Sequence, residues 1–352
     1  DPLGFLPSVS ILFPHPTLDF FVFSHESFRM SADGVFGIQS AGEFEVLALE
    51  TFAHQYHHVA IYKEFCDHLG KQPSKISTLR EIPFLPIEFF KSHKVLSAEH
   101  SPEIVFRSSG TTGSVRSQHF VADLGLYRES FTRGFEHFYG KPSEYCIVAV
   151  LPSYQERSDA SLSYMVGALI GQSTHPKSGF YNVQEAGQVL ELLSASRTQA
   201  LLIGVTFALL DLVEKTIQIA PNTIVMETGG MKGRRKEMVR AELHKILSEG
   251  FGLESIHSEY GMTELLSQAY SSGQGLFQCP PWMQVRIRDT EDPLSTMESG
   301  RTGGVDIIDL ANQHSCAFIA TQDLGKSHDN GTFEILGRFD HSDIRGCNLM
   351  AL

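Results

Sequence analysis

Disulfide pairs and clustered metal-binding cysteines are missing from this 352-residue chain. It has five cysteines, and no two of them have the CxxC spacing that is typical of zinc sites and redox motifs. This pattern supports neither a zinc site nor a disulfide framework. We therefore predict a reducing compartment, the cytoplasm.

Long apolar runs and an excess of positive charge are also missing. No stretch approaches the roughly 18 apolar residues of a membrane-spanning helix, which predicts that the chain has no transmembrane segment. The chain has 41 acidic and 28 basic residues, and its formal net charge is −13. Because nucleic-acid binding depends mainly on contacts from Lys and Arg to phosphate, this balance predicts that nucleic acid is not a partner.

A run of hydroxyls and glycines is present, and it follows a predicted strand at Ile104–Arg107. The run reads Ser108-Ser109-Gly110-Thr111-Thr112-Gly113-Ser114. Its glycines let an anion approach backbone N–H groups, which predicts a phosphate loop. The P-loop lysine is absent, since the next cation is Arg116, and this disfavours a nucleotide kinase or a GTPase. A flexible turn is the alternative interpretation.

A second motif, Tyr260-Gly261-Met262-Thr263-Glu264, follows a predicted strand end at His257. Its threonine can offer a hydroxyl to a phosphate, and its glutamate is a suitable ligand for Mg²⁺. Taken alone, this pentapeptide is also compatible with a plain turn between a strand and a helix.

Two further segments follow predicted apolar strands and carry charged residues. Asp323 lies in the first, and its carboxylate at a strand end suits the two hydroxyls of a ribose. Arg338 lies in the second, and its planar donor fork suits a ribose or a phosphate.

The order of these motifs resembles that of the adenylate-forming enzymes, which include acyl-CoA synthetases, luciferases and the adenylation domains of peptide synthetases. Within that group the chain is most similar to the LuxE-type acyl-protein synthetases, from about Glu43 to the C-terminus. The resemblance implies an ATP site. Its phosphate-binding and adenine-binding residues would be Ser108, Ser109, Gly110, Thr111, Thr112, Gly113, Gly229, Gly230, Tyr260 and Gly261.

The same resemblance implies catalytic roles in the second motif. Thr263 would contact the α-phosphate and Glu264 would hold Mg²⁺, while Asp323 would bind the ribose and Arg338 the nucleotide. Arg116 is a departure, because many adenylate-forming enzymes have a lysine at this position. Both side chains are cations, so the departure leaves the role of the position open.

A larger departure concerns the C-terminus. Most adenylate-forming enzymes continue into a small domain that brings a lysine to the α-phosphate, and we expect that domain to be absent, since the last lysine is Lys326. LuxE-type proteins are similarly short and are thought to carry the acyl group on a cysteine near the C-terminus, which corresponds to Cys347. Arg345 would favour its thiolate. A packing role for Cys347 is the alternative.

Strands and helices alternate after Tyr145, and short strands with Gly-rich turns follow Tyr270. This pattern predicts an α/β fold with a mainly parallel sheet flanked by helices and a β-rich subdomain. We expect residues 1–29 to be a leader or non-native sequence. Residues 30–352 would form the synthetase domain, with an α/β part over about 43–270 and a β-rich part over about 271–352.

Together with these motifs, the resemblance to LuxE-type synthetases implies an acid–thiol ligase. The enzyme would activate a fatty acid or other carboxylic acid with ATP and Mg²⁺, and would pass the acyl group through a cysteine to a partner reductase or acyltransferase. One alternative is a carboxylate–CoA ligase or an acyltransferase that uses a preformed thioester. The other is a non-catalytic scaffold that binds an adenylate or carries an acyl group.

Overall fold

Helices are distributed along most of the chain. The computed structural model describes residues 32–109, 115–152, 156–196, 198–229 and 238–338. The helices in these ranges are α1 (Ala32–Phe36), α2 (Ala41–His58), α3 (Ala60–His68), α4 (Phe89–Ser92), α5 (Leu124–Tyr139), α6 (Ser161–Gln172), α7 (Val183–Ser196), α8 (Thr206–Glu214) and α9 (Arg240–Phe251). All the described residues belong to one compact unit. None of the helices in these ranges is long and apolar enough to cross a bilayer. The predicted leader at 1–29 lies outside the described residues.

The strands form three sheets. They are β1 (Leu85–Pro86), β2 (Ile104–Arg107), β3 (Gln118–Val121), β4 (Cys146–Val150), β5 (Gly179–Phe180), β6 (Ala200–Gly204), β7 (Ile224–Glu227), β8 (His257–Tyr260), β9 (Ala269–Ser271), β10 (Met283–Arg288), β11 (Thr302–Asp309), β12 (Phe318–Ser327) and β13 (Phe333–Arg338). Strands β2 and β3 form a separate antiparallel hairpin.

The largest sheet has the order β5-β4-β6-β7-β8-β9. Its strands are parallel except at the edge, where β9 runs antiparallel to β8. Every residue of β4 and of β6 is buried, and both strands are continuous apolar runs. Such runs are typical of parallel strands that are covered on both faces. The predicted α/β fold with helices flanking a mainly parallel sheet is therefore confirmed.

The second sheet is mostly antiparallel and corresponds to the predicted β-rich region. Its order is β1-β12-β11-β10, and β13 pairs with the other end of β12. Only the short β1, from much earlier in the chain, pairs in parallel. Because β1 precedes residue 270 and still belongs to this sheet, the division between parts near 270 stays a prediction.

One predicted strand is longer than expected. The apolar pattern predicts a strand over Cys316–Thr321, but β12 continues to Ser327, and Asp323 lies inside it rather than after its end. Burial alternates along β12, so that Thr321, Asp323 and Gly325 face inward. Side chains alternate between the two faces of a strand, but here the buried face carries polar residues. An alternation of apolar and polar residues is therefore not visible in the sequence.

The predicted helix over Phe44–Leu69 is in fact two helices. Val59 is fully buried and has an extended backbone with φ −105° and ψ 96°, which separates α2 from α3. Apolar spacing continues through this position, so periodicity alone does not reveal the break.

Close packing of β6 against its neighbours predicts a large effect for one small substitution. In Gly204→Ala the new Cβ would lie 2.3 Å from Cγ2 of Val150 and 3.0 Å from Cδ2 of Leu209. We expect the free energy of unfolding in urea to fall by about 1–3 kcal/mol, as for other overpacked cores. Gly42→Ala is the control, because nothing lies within 4 Å of its added Cβ in helix α2. Equal stability of the two variants would contradict this description of the core.

Candidate active site

The hydroxyl-rich loop is closed at its base by the β2–β3 hairpin. Arg107 pairs with Gln118 in the hairpin register. Beyond that pair, the Ser108 N–H donates to the Ser117 carbonyl at 3.1 Å, and the Ser117 N–H donates to Ser108 Oγ at 3.0 Å. Ser109 is exposed. The predicted loop residues Gly110, Thr111, Thr112 and Gly113 lie outside the described residues.

Arg116 forms hydrogen bonds that hold the start of this loop in place. Its Nε donates to the Ser108 carbonyl at 2.5 Å, and its Nη2 donates to Asp159 Oδ2 at 2.7 Å and to the Arg107 carbonyl at 3.3 Å. Burial alone would raise the pKa of the Asp159 carboxyl, but hydrogen bonds from Arg116 and Arg157 lower it overall. A guanidinium has five N–H donors in a planar fork and can hydrogen-bond to several separate acceptors at once. An ammonium is more compact and is less suited to this arrangement. Arg116 therefore links Ser108 and Arg107 to Asp159, and any role of this position towards a ligand stays open.

Tyr260, Asp323 and Arg338 come together although they arise from three separate motifs. Tyr260 is the last residue of β8, and its hydroxyl donates to Asp323 Oδ2 at 2.7 Å. Arg338 lies opposite Asp323 in the β12–β13 register, and its Nε donates to Asp323 Oδ1 at 3.1 Å. Burial and the nearby carboxylate raise the pKa of Tyr260 well above its usual value. This cluster joins the parallel sheet to the antiparallel one.

The positions of Asp323 and Arg338 after predicted strands predict that they converge on a nucleotide crevice. The structure brings the two side chains together by a different geometry, and the crevice stays a prediction. We expected strand ends of a parallel sheet to bring charged residues to one edge. Instead, β12 and β13 are antiparallel, and Asp323 lies within its strand while Arg338 ends the next one. Antiparallel pairing brings the two side chains together.

Thr263 and Glu264 lie in an irregular segment between β8 and β9. The Nδ1–H of His119 donates to the Thr263 carbonyl at 2.8 Å, and the Asn312 amide donates to the Glu264 carbonyl at 2.9 Å. Glu264 is buried, and burial raises the pKa of its carboxyl although Ser117 donates a hydrogen bond to it. A cation beside this carboxylate would favour its ionised form and so oppose the effect of burial.

Asp309 fixes the next residues of the same segment. Its carboxylate is fully buried and accepts hydrogen bonds from the Leu266 N–H at 2.8 Å, the Ser267 N–H at 3.0 Å and the Ser267 hydroxyl at 2.5 Å. Sequence reasoning missed Asp309, His119 and Asn312, because none of them belongs to a motif: His119 lies within β3, Asp309 ends β11 and Asn312 follows it.

One cavity of about 200 Å³ brings together residues from three of the predicted segments. Ser109, Gly229, Gly261 and Thr263 all line it. The side chains of Tyr260, Glu264, Asp323 and Arg338 are not among the described residues of its wall. Gly230, which was predicted beside Gly229, lies outside the described residues.

Two acidic residues near this cavity were also missed. Glu227 is buried at the end of β7, and its Oε2 accepts from the Gly229 N–H at 2.7 Å. Burial would raise the pKa of Glu227, but a hydrogen bond from His244 and the charge of Arg240 lower it to about 2. Glu259 lines the cavity itself, and burial together with the charge of Glu227 raises its pKa to about 8. No sequence signal distinguishes either glutamate from a surface residue.

The described cysteines do not provide a thiolate. Cys66, Cys146 and Cys316 are fully buried, and burial raises the pKa of each thiol, for Cys66 to about 12. Burial also raises the pKa of Cys279 to about 12. These residues behave as packing residues. Cys347, the predicted acyl acceptor, lies outside the described residues.

The burial of His119 predicts a pH dependence of stability. Burial lowers its pKa to about 4 and outweighs the acceptor oxygens of Thr263 and Asn312. Between about pH 6.5 and pH 4 the unfolded chain binds a proton at this residue that the folded chain does not, so stability is lost as the pH falls. We expect wild-type protein to lose about 3 kcal/mol more than His119→Gln between pH 7 and pH 4, measured by urea unfolding. His68→Gln, at an exposed site, is the control, and parallel pH profiles for wild type and His119→Gln would contradict the assignment.

Solved structures with a similar fold include a CoA ligase. The chain is similar to 2-hydroxyisobutyryl-CoA ligase in the postadenylation state, with 12% identity and a TM-score of 0.62 over 85% of this chain and 68% of that chain. It is also similar to the same ligase in complex with 2-HIB-AMP and CoA, with 14% identity and a TM-score of 0.60 over 86% of this chain and 70% of that chain. At these identities the likeness shows the fold of the adenylate-forming ligases.

A weaker likeness is to ATP-bound MatB from Rhodopseudomonas palustris, with 18% identity and a TM-score of 0.49 over 66% of this chain. The matching part spans 47% of MatB, so the chain corresponds to about half of that protein. None of the curated proteins compared with the chain matches it significantly. The sequence matches the family described as acyl-protein synthetase, LuxE, over residues 12–351, and the chain therefore belongs to the LuxE acyl-protein synthetase family.

Proposed function

We propose that this protein activates a carboxylic acid with ATP, forms an acyl adenylate and transfers the acyl group to a thiol. The observation that carries the proposal is the single cavity lined by Ser109, Gly229, Gly261 and Thr263. Hydroxyl groups and glycine backbone from separate loops line this one cavity. They suit a nucleotide, because its phosphates need hydrogen-bond donors and a backbone that they can approach closely. Family membership and the ligase fold support the same conclusion.

The ribose would bind at Asp323. Its carboxylate accepts hydrogen bonds from Tyr260 and Arg338, and an ionised carboxylate has about four lone-pair sites. Two sites therefore remain for ribose hydroxyls. Arg338 is exposed beside it and keeps free donors on its guanidinium for a phosphate or a ribose oxygen.

Mg²⁺ fits the donor set near Glu264. This cation is commonly held by one or two carboxylates together with substrate phosphates and water, so a dedicated protein cage is not needed. The described residues contain no group of three or more His, Cys, Asp or Glu that would form such a cage. When bound, Mg²⁺ offsets negative charge on the phosphates. Burial raises the pKa of the Glu264 carboxyl, and a cation bound beside the carboxylate would offset this effect.

The first step forms one bond and breaks one. An oxygen of the substrate carboxylate attacks the α-phosphorus of ATP, and the bond from that phosphorus to pyrophosphate breaks. The hydroxyl of Thr263 would donate a hydrogen bond to the α-phosphate, where negative charge develops in the transition state. His119 and Asn312 position this segment through the Thr263 and Glu264 carbonyls.

In the second step a thiolate attacks the acyl carbonyl, and the bond from that carbonyl to AMP breaks. Cys347 is our candidate for this thiol, and a partner reductase or acyltransferase would then receive the acyl group. The described cysteines are poor candidates, because burial raises the pKa of each of them. Coenzyme A is the alternative acceptor, and a structural neighbour of similar fold was solved with CoA.

Transfer to Cys347 predicts a covalent adduct. After incubation with ATP, Mg²⁺ and a mixture of carboxylic acids, intact-mass spectrometry should detect an acyl adduct that is labile to hydroxylamine and maps to Cys347. We expect Cys347→Ser to lose the adduct and to keep pyrophosphate release. Full thioester formation on CoA by Cys347→Ser would favour the CoA ligase, and nucleotide binding without pyrophosphate release for any acid would favour a non-catalytic scaffold.

The role of Glu264 predicts a loss of adenylation. In Glu264→Gln the carboxylate that would hold Mg²⁺ becomes neutral, and we expect acid-dependent pyrophosphate exchange to fall by about 100-fold or more. Glu191→Gln removes an exposed carboxylate on α7 and serves as the matched control. An exchange rate in Glu264→Gln within about twofold of the control would argue against this role.

A further inference from the structure

Helix α4 packs against strand β3, close to the segment that carries Thr263. Phe90 of this helix is 1% exposed, and its ring lies edge-on to the ring of His119, with the ring centroids 5.8 Å apart. The Nδ1–H of His119 donates to the Thr263 carbonyl at 2.8 Å. A single side chain therefore separates α4 from a residue of the candidate active site.

Contacts with strand β12 fix the start of α4. Strand β1, which precedes the helix, pairs in parallel with β12, and the Ile87 N–H donates to the Ala320 carbonyl at 2.9 Å. Glu88 Oε1 accepts a hydrogen bond from the Gln322 amide at 2.5 Å. Since Gln322 precedes Asp323, the helix begins beside the strand that carries the proposed ribose ligand.

The exposed side of α4 carries a lysine without a carboxylate partner. Within the described part of the chain, lysine ion pairs form at Lys63 and Lys245, and none forms at Lys91. The charge of Lys91 still acts at Glu264, since burial raises the pKa of that carboxyl and the charges of Arg338 and Lys91 oppose the rise. The ammonium of a lysine sits on a flexible four-carbon stem and can turn towards an anion.

Two arginines near these residues are already bound to carboxylates. Arg116 contacts Asp159 at 2.7 Å, and Arg338 contacts Asp323 at 3.1 Å. A cation that is paired in this way has part of its charge compensated by its partner. Lys91 has no such partner among the described residues, so its charge is available to a ligand.

We propose that the ammonium of Lys91 contacts the β- and γ-phosphates of ATP and offsets the negative charge of pyrophosphate as it leaves. This inference rests on the proposed function, in which the bond from the α-phosphorus to pyrophosphate breaks and its electron pair goes to the pyrophosphate oxygen. Ser117, at the base of the predicted phosphate loop, donates a hydrogen bond to Glu264. Lys91 and Glu264 thus lie at the end of the loop where the outer phosphates would bind. A compact ammonium is well suited to a phosphate.

The first measurement is nucleotide binding, which does not require turnover. Titration calorimetry compares α,β-methylene ATP with AMP, each with Mg²⁺, on the wild type and on Lys91→Met. We expect Lys91→Met to bind α,β-methylene ATP about tenfold or more weakly, and AMP to within about twofold of the wild type, because AMP lacks the β- and γ-phosphates. Unchanged affinity for α,β-methylene ATP, an equal loss for both nucleotides, or no binding of α,β-methylene ATP to the wild type would overturn the proposal.

Lys94→Met is the matched control. Lys94 is also exposed and lies three residues further along, with its ammonium 5.6 Å from the centre of the Phe120 ring. The control removes the same charge from a neighbouring position, and we expect it to bind both nucleotides like the wild type. A loss of α,β-methylene ATP affinity as large as that of Lys91→Met would indicate general attraction between charges and would refute a specific contact.

Acid-dependent pyrophosphate exchange separates this inference from the proposed function. Selective loss of α,β-methylene ATP binding in Lys91→Met, with no exchange by the wild type for any acid, would reject the proposed function and retain the contact of Lys91 with the triphosphate. Exchange by the wild type that Lys91→Met performs equally fast would retain the proposed function and reject the role of Lys91.

Discussion

The position of residues 261–268, which include Thr263 and Glu264, depends on the buried carboxylate of Asp309. Residues 261–268 form no helix or strand, and a segment without a hydrogen-bond ladder has no intrinsic register. The three hydrogen bonds that Asp309 accepts from Leu266 and Ser267 fix that register against β11. Thr263 on one side and Gln268 on the other are therefore placed by a residue that touches neither. An acceptor that satisfies several backbone donors at once is a common way to hold irregular chain in a core.

The candidate site residues come from two different sheets. The parallel sheet supplies glycines and short loops at the ends of β7 and β8, which is the usual location for ligands in open α/β sheets. The antiparallel sheet supplies charged residues along β12 and at the end of β13. Tyr260 connects the two through its bond to Asp323, so the buried hydroxyl is satisfied and the carboxylate is held in one orientation. Neither sheet alone contains the full set of groups.

The sequence predicts the fold class and many elements because short continuous apolar runs and glycine-containing loops dominate the parallel sheet. It also indicates Ser109 and Thr263, whose hydroxyls suit an anion site, while Gly229 and Gly261 are assigned through the family resemblance. It does not predict that Asp323 lies inside a strand, since polar residues occupy the buried face of β12. Glu259 and Asp309 escape detection for a related reason: their properties come from burial and from neighbours distant in sequence. The roles of Cys347 and of the loop at residues 110–113 stay predictions.

The ion pair of Glu227 has a consequence for how the cavity could change during evolution. Arg240 contacts Glu227 at 3.2 Å and the Ile335 carbonyl at 2.9 Å, and it is not among the described residues of the cavity wall. The charge of Arg240 helps to lower the pKa of Glu227, and the charge of Glu227 helps to raise the pKa of Glu259, so a substitution at Arg240 would shift these pKa values without altering a described residue of the cavity wall. Shape and acidity of the cavity are thus separately adjustable traits, and selection on one does not require a change in the other.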